Sequence, residues 1–184
     1  MPPFSPETLP PFPPIRAGYP TGAPPLGLRP AGAGDLAFLR RLSEEYLREL
    51  AASLPFGGVQ LWPFLPEQFA REHRYFLSHL PQGDFLVIEQ AGEAVGRLYL
   101  DRRPTSFHIA EFGLLARARN AGIGSAVLRI VQTAALAAGV PAVTLNVDRR
   151  NLRAQHLYAR HGFVAEAPRG KLLPMSWPVR ESAA

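Results

Sequence analysis

The order of hydrophobic patterns along the 184 residues predicts a mixed central β-sheet with helices on both faces, a fold of the α/β (α+β) class. Three observations carry this. From Leu26 onward, strand-like and helix-like patterns alternate. A strand pattern, His108 to Leu115, runs through a glycine-bearing turn straight into a long apolar helix pattern. A β-rich run of the kind buried between neighbours, Ala142 to Val147, then follows that helix.

Taken in order, residues 1 to 25 hold half of the 20 prolines, so this stretch is expected to be an extended, flexible arm. Leu26 to Arg29 reads as a short strand. Asp35 is placed to cap a helix whose apolar positions Leu39, Leu42, Tyr46 and Leu50 recur at helical spacing. After the turn-rich segment Leu54 to Pro66, a second helix from Glu67 to Leu80 carries Phe69, His73, Phe76, Leu77 and Leu80. Phe85 to Glu89 and Ala94 to Leu100 flank Gln90-Ala91-Gly92-Glu93 and read as a hairpin. The long helix spans about Ile123 to Ala138 and is stopped by Gly139 and Pro141. Asn151 caps a short helix through Arg160, Gly162 ends it, and Phe163 to Ala165 and Leu172 to Trp177 form a last strand pair. The domain is expected over residues 26–180, with a tail at 181–184.

Composition narrows the chemistry. The chain has no cysteine, which removes disulfides, thiol catalysis and zinc-thiolate sites. Its five histidines show no H-E-x-x-H spacing, so no metal site is expected. No apolar run is long enough to span a membrane, and no secretion signal opens the chain, so a cytoplasmic protein is expected. The net charge of +5 is spread along the chain rather than gathered in one block, which disfavours nucleic acid and suits an acidic small ligand.

The turn before the long helix is Arg119-Asn120-Ala121-Gly122-Ile123-Gly124. In R-x-x-G-x-G the glycines let the backbone approach an anion, and the first turn of a helix offers amides without intrahelical partners. It is not a Walker loop, since no Gly-Lys-Ser/Thr follows and the only lysine is Lys171; nor does it have the third glycine of the dinucleotide fingerprint. Alone, the pattern also fits a plain strand-to-helix turn beside a surface arginine.

Downstream lies Asn151-Leu152-Arg153-Ala154-Gln155-His156-Leu157-Tyr158-Ala159-Arg160-His161-Gly162-Phe163. The glycine loop, the β run after it and this N-x-x-A-x-x-x-Y-x-x-x-G-F pattern together resemble the GNAT superfamily of acetyl-CoA-dependent N-acetyltransferases. The resemblance extends over about Leu26 to Trp177, including the hairpin strand with Val95-Gly96-Arg97. It implies a sheet whose central strands splay, and coenzyme A as partner. Leu114, Leu115 and Ala116 would hold the pantetheine, and the amides of Arg119, Asn120, Ala121, Gly122, Ile123, Gly124 and Ser125 the pyrophosphate. It further implies direct attack of an amine on the thioester, with a backbone amide near Leu115 as oxyanion donor and Tyr158 near the sulfur. Glu111 stands where several members carry a catalytic carboxylate.

Each role has a plainer counterpart. Tyr158 shares a face with Ala154 and Leu157 and would pack there; Asn151, which could bond the pantetheine amide, would serve equally as a helix cap; Glu111 could simply pair with an arginine. If the strand is regular, His108 falls on the opposite face from Glu111. His156 and His161 are expected to face solvent. Two departures from the family pattern stand out: Ala116 where proline is common, and Asn120-Ala121 in place of Arg-Gly, which removes a positive charge and predicts modest affinity for coenzyme A. Glycine replacement at 122 or 124 is expected to abolish cofactor binding and spare the fold. The activity implied is N-acetyl transfer to a small-molecule, peptide or protein amine, by a monomer or homodimer. The competing reading is an acyl-CoA sensor or carrier without turnover. The acceptor side should be built from the first two helices, the 54–66 segment and the last strands, with Phe56, Trp62, Phe64, Tyr75 and Trp177 as its aromatic residues.

Overall fold

A computed structural model describes residues 9–52 and 65–179. Its strands are β1 (Gly22–Ala23), β2 (Leu26–Pro30), β3 (Asp84–Gln90), β4 (Glu93–Arg103), β5 (Ser106–Leu114), β6 (Ala142–Asp148), β7 (Val164–Ala165) and β8 (Leu172–Pro178). They form one mixed sheet in the order β1-β2-β3-β4-β5-β6-β8-β7. All described pairings are antiparallel except β5 with β6. Helices α1 (Leu36–Ala52) and α2 (Leu65–His79) cover one face, and α3 (Ile123–Ala137) and α4 (Leu152–Arg160) the other. No helix among the described residues is long and apolar enough to cross a membrane.

Alternation along the strands divides the core in two. Phe85, Val87 and Tyr99 turn to the α1/α2 layer, where they meet Leu39, Leu42 and Phe69. Leu86, Ile88, Leu98 and Leu100 turn the other way onto Val127, Leu128 and Val131 of α3. The β3–β4 hairpin turns on Ala91 and Gly92, both with positive φ (51° and 83°), the backbone of the tight two-residue turn expected from sequence. Gly139, at φ 64°, ends α3 as the left-handed residue after a helix.

Two expectations change. Asp35 does not cap α1: it lies in a 3₁₀ turn, where its carboxylate accepts from the Gly32 amide and from Arg29, both at 2.8 Å. Tyr46 and Leu50 continue the helical spacing of α1 but leave the core, Tyr46 being 47% exposed. From Leu9 onward the proline-rich arm also makes contacts with the domain that proline content does not announce. Leu9 is buried against the α1/α2 core, Phe12 lies edge-on to His73 at 4.9 Å, and the His73 Nε2–H donates to the Pro10 carbonyl at 2.8 Å. Farther along, the Arg102 guanidinium, ion-paired with the buried Asp84, donates to the carbonyls of Arg16, Ala17 and Gly18. Proline composition favours an extended backbone and leaves carbonyls without matching amides, which these two side chains supply.

The Arg29 guanidinium holds the Asp35 carboxyl below the usual carboxylate range, against the opposing effect of burial, and the Gly32 amide adds to it. A depressed carboxyl contributes stability above its ordinary pKa and loses it as pH falls through the depressed value. Asp35→Ala is therefore expected to cost about 1–3 kcal/mol at neutral pH. In thermal melts, the gap between variant and wild type should close on acidification below about pH 4.

Candidate active site

The parallel ladder between β5 and β6 has only three residue pairs, Phe107 with Val143, His108 with Thr144 and Ile109 with Leu145. At the next residue the β4–β5 register jumps: Leu100 faces Ile109, Tyr99 faces Glu111, and Ala110 faces nothing. A one-residue bulge of this kind bends and twists its strand. Beyond it β5 continues to Leu114 and β6 to Asp148 with no ladder between them, each held on its outer side by β4 or β8. The result is an open gap edged by main chain. The bulge also puts His108 on the same face as Glu111, since their partners Asp101 and Tyr99 are two apart on β4. The expected opposite placement holds only for a regular strand; His108 instead bonds the Thr144 hydroxyl at 2.9 Å.

Of the three residues expected to hold a pantetheine arm, one keeps its main chain toward the gap. The Leu115 amide donates to the Val95 carbonyl (2.9 Å), and its own carbonyl accepts from Ala118. The Ala116 amide bonds Glu45 of α1, and its carbonyl accepts from Arg119. By alternation in the antiparallel ladder, Phe112 and Leu114 direct their amides and carbonyls into the gap. The Leu115 N–H is thus already paired within the sheet, whereas the Leu114 N–H is directed to the gap.

In the loop that follows, the Arg119 side chain is already engaged. Its Nε donates to the Leu114 carbonyl at 2.8 Å and its Nη1 to Glu49 at 2.6 Å, so this side chain ties α1 to the gap edge. The first helical bond of α3 runs from the Ala126 amide to the Gly122 carbonyl (3.0 Å), leaving the amides of Gly122, Ile123, Gly124 and Ser125 at the open helix end. Gly122 adopts φ 78°, and a Cβ there would meet nothing within 4 Å, so the approach to these amides is clear. Asn120, also left-handed at φ 63°, accepts from the Arg153 guanidinium at 3.0 Å. The positive charge absent from position 120 is therefore brought to the same place by α4. Ala121 lies exposed beside it.

Two ionisable groups flank the gap. Tyr158 of α4 is 7% exposed, its ring packs against Phe163 at 5.7 Å, and burial, with the charge of Glu111, pushes its hydroxyl well above the usual tyrosine range. Glu111 is 27% exposed and accepts from Arg97 at 3.0 Å. Burial raises its carboxyl; Arg97 opposes this, and nearby Glu72 adds to it. The Tyr46 hydroxyl on α1 is likewise raised, by burial first and then by Glu111 and Asp148, and this tyrosine overhangs the same side. Asn151 accepts from the Ala154 amide at 3.0 Å, which is a helix cap.

A family model described as the acetyltransferase (GNAT) family matches residues 44–163, from α1 through the loop and gap to Phe163. The chain belongs to the GNAT acetyltransferase family. No curated protein sequence matches it. Among solved structures, this GNAT chain is similar to the PaiA N-acetyltransferase of Thermoplasma acidophilum in complex with coenzyme A. Identity is 18%, coverage 83% of this chain and 98% of that one, and the TM-score 0.66. It is similar also to RimL, a ribosomal-protein α-N-acetyltransferase in complex with coenzyme A (17% identity, 85% and 96% covered, TM-score 0.64). A third is the spermidine N-acetyltransferase of Vibrio cholerae in complex with coenzyme A and spermine (19% identity, 85% and 96% covered, TM-score 0.62). At these identities the likeness is one of fold.

Within this GNAT domain, sequence reading missed Arg153, Glu72 and Ser43. Arg153 had a usable signal, a basic residue in the first turn of the helix that Asn151 caps; Glu72 and Ser43 lie on helices whose register against β5 no local pattern reveals. Of the aromatic residues assigned to the acceptor side, Phe56, Trp62 and Phe64 lie outside the described residues. Tyr75 is exposed and stacked on His79 (4.0 Å), and Trp177 packs beside Gly162. His156 faces solvent, whereas His161 is half-buried.

The two loop glycines separate in role. A Cβ on Gly124 would come 3.0 Å from Leu157 Cδ2 and touch Phe112 and Leu114 at ordinary contact distance, so Gly124 lets α3 pack closely against α4. A bulky replacement there would therefore act on packing as well as on the loop. Gly124→Val should destabilise by about 1–3 kcal/mol through overpacking. Gly122→Ala should cost only about 1 kcal/mol, through its left-handed backbone. Thermal denaturation of the two variants checks the difference.

Proposed function

We propose that the protein transfers an acetyl group from acetyl-CoA to a primary amine of a small molecule, peptide or protein, by direct attack in a ternary complex. The observation that carries this reading is the gap beyond Ile109, which has main-chain edges, open helix-end amides at its mouth and two ionisable side chains beside it. Coenzyme A fits these residues: Phe112 and Leu114 can pair with an amide-bearing arm as with an added strand. The amides of Gly122 to Ser125, with Arg153 at Asn120, suit the phosphates. The fit has one condition, that the Arg119 Nε yield the Leu114 carbonyl.

Acetyl-CoA would supply an acyl group activated as a thioester. The chain's part is to deprotonate, polarise and protect. Glu111, with its carboxyl raised by burial, is poised to take a proton from the acceptor ammonium, directly or through water. The nitrogen–carbon bond would form as the carbon–sulfur bond breaks, and the Leu114 amide, directed to the gap, would be the residue to donate to the oxygen on which negative charge gathers. Tyr158 is assigned to the leaving sulfur as a hydrogen-bond donor, in keeping with the resemblance. Because burial raises its hydroxyl, full proton transfer to a thiolate would run uphill, so stabilisation by a retained proton is the favoured role. Asn151, its carbonyl oxygen engaged in the cap, has its side-chain amide left for the pantetheine.

The acceptor is open between small and protein amines, since similar structures include a polyamine and a protein N-terminal acetyltransferase at nearly equal likeness. Thiol release from acetyl-CoA across amino acids, polyamines, aminoglycosides and peptides tests the activity; coenzyme A binding with no transfer from any of them would support a carrier or sensor instead. Tyr158→Phe is expected to lower kcat about 10- to 100-fold while leaving the Kd for coenzyme A within about twofold. Equal losses in both would mean that Tyr158 only packs.

A further inference from the structure

Arg97 enters the α1/α2 side of the sheet from β4 and is 4% exposed, its Cζ 5.4 Å from the Tyr99 ring centroid. A single nitrogen, Nη2, donates both to Glu111 Oε1 at 3.0 Å and to Glu72 Oε1 at 2.8 Å. Its Nε is buried without a hydrogen-bond partner. One cation thus serves two carboxylates, and the group carries a net negative charge where water screens it poorly. The two carboxylates are not equivalent. The buried Ser43 hydroxyl of α1 donates to Glu72 Oε2 at 2.8 Å, whereas Glu111 receives no hydrogen bond besides that of Arg97 among the described residues. A donated bond favours the ionised form, so a proton taken up by the pair goes to Glu111.

Resting on the reading of Glu111 as proton acceptor, we propose that Glu72 of α2 is a positioning residue. By sharing Arg97 it leaves the Glu111 carboxylate only partly neutralised, and free to take a proton from an ammonium group. Were Arg97 devoted to Glu111 alone, that carboxylate would be a stable ion-pair partner and a poor base. α2 itself is fixed at this point, because His73, next in sequence, bonds the Pro10 carbonyl and packs against Phe12 and Phe69. The other groups facing Glu111 are Tyr46 from α1, Tyr99 from β4 and Tyr158 from α4, all with hydroxyls raised by burial and further by Glu111. Asp148 and Arg150 pair with each other at the end of β6 (3.0 Å), and His108 shares the β5 face. None of these replaces the charge of Glu72 at the Arg97 nitrogen.

Carboxyl carbon NMR of the full chain, with labelled glutamate, reads the effect without turnover. Glu72→Gln keeps a hydrogen-bonding side chain and removes the charge. It should move the Glu111 titration downward by on the order of one pH unit, and the acid limb of kcat/KM by the same amount. Ser43→Ala, which weakens the bias toward ionised Glu72, should move it in the same direction by less, and carries the test if the Gln variant does not fold. A Glu111 titration that stays in place or moves upward overturns the inference even where acetyl transfer is observed. Absence of transfer by the wild-type protein would overturn the functional reading instead.

Discussion

The failure of β5 and β6 to stay paired is the constraint on which the rest of the site depends. Three parallel pairs hold the strands together as far as Ile109 and Leu145; the unpaired Ala110 then turns β5 away. Both strands are secured from outside, β5 along β4 and β6 along β8, so the sheet does not close over the break. Apart from the Leu114 carbonyl, which Arg119 occupies, main-chain groups of Phe112 and Leu114 along the gap have no partner strand, and an edge of that kind suits an extended amide-bearing molecule. The same divergence gives α4 room to place Tyr158 on one side of the gap, while Glu111 faces the other layer.

Around this opening positive charge is held in two ways. Arg97 is buried and shared between two carboxylates, one of them the proposed base; Arg119, held by Glu49 and the Leu114 carbonyl, braces α1 against the gap edge. Arg153, more exposed and bonded to Asn120, is the arginine that the proposed function assigns to an anion. In the proposed function, binding at the loop leans on backbone amides and on a charge delivered from α4. Such an arrangement tolerates asparagine and alanine where the family pattern has arginine and glycine.

Much of this was legible in the chain. The glycine loop, the helix after it and the Asn151 to Phe163 pattern fix the order of elements and the family, because each rests on local backbone needs: left-handed residues, an open helix end, a cap. What stayed hidden depended on long side chains or on single-residue irregularities. Alternation cannot reveal the bulge at Ala110, which brings His108 onto the face of Glu111 where a regular strand would oppose them. The partners of Arg119, Glu45 and Glu49, and those of Arg97, Glu72 and Glu111, come from elements far apart in sequence, and no spacing rule links them. Proline content announces an extended arm, yet its docking depends on His73 and Arg102, which are ordinary residues in their own elements.

Amide hydrogen exchange of the full chain, with and without coenzyme A, tests most directly the claim that the β5–β6 gap and its helix-end amides form the binding edge. The account predicts new protection at Phe112 and Leu114 and at Gly122 to Ser125, with α2 unchanged. Coenzyme A bound by calorimetry, with those amides exchanging as before, would contradict it.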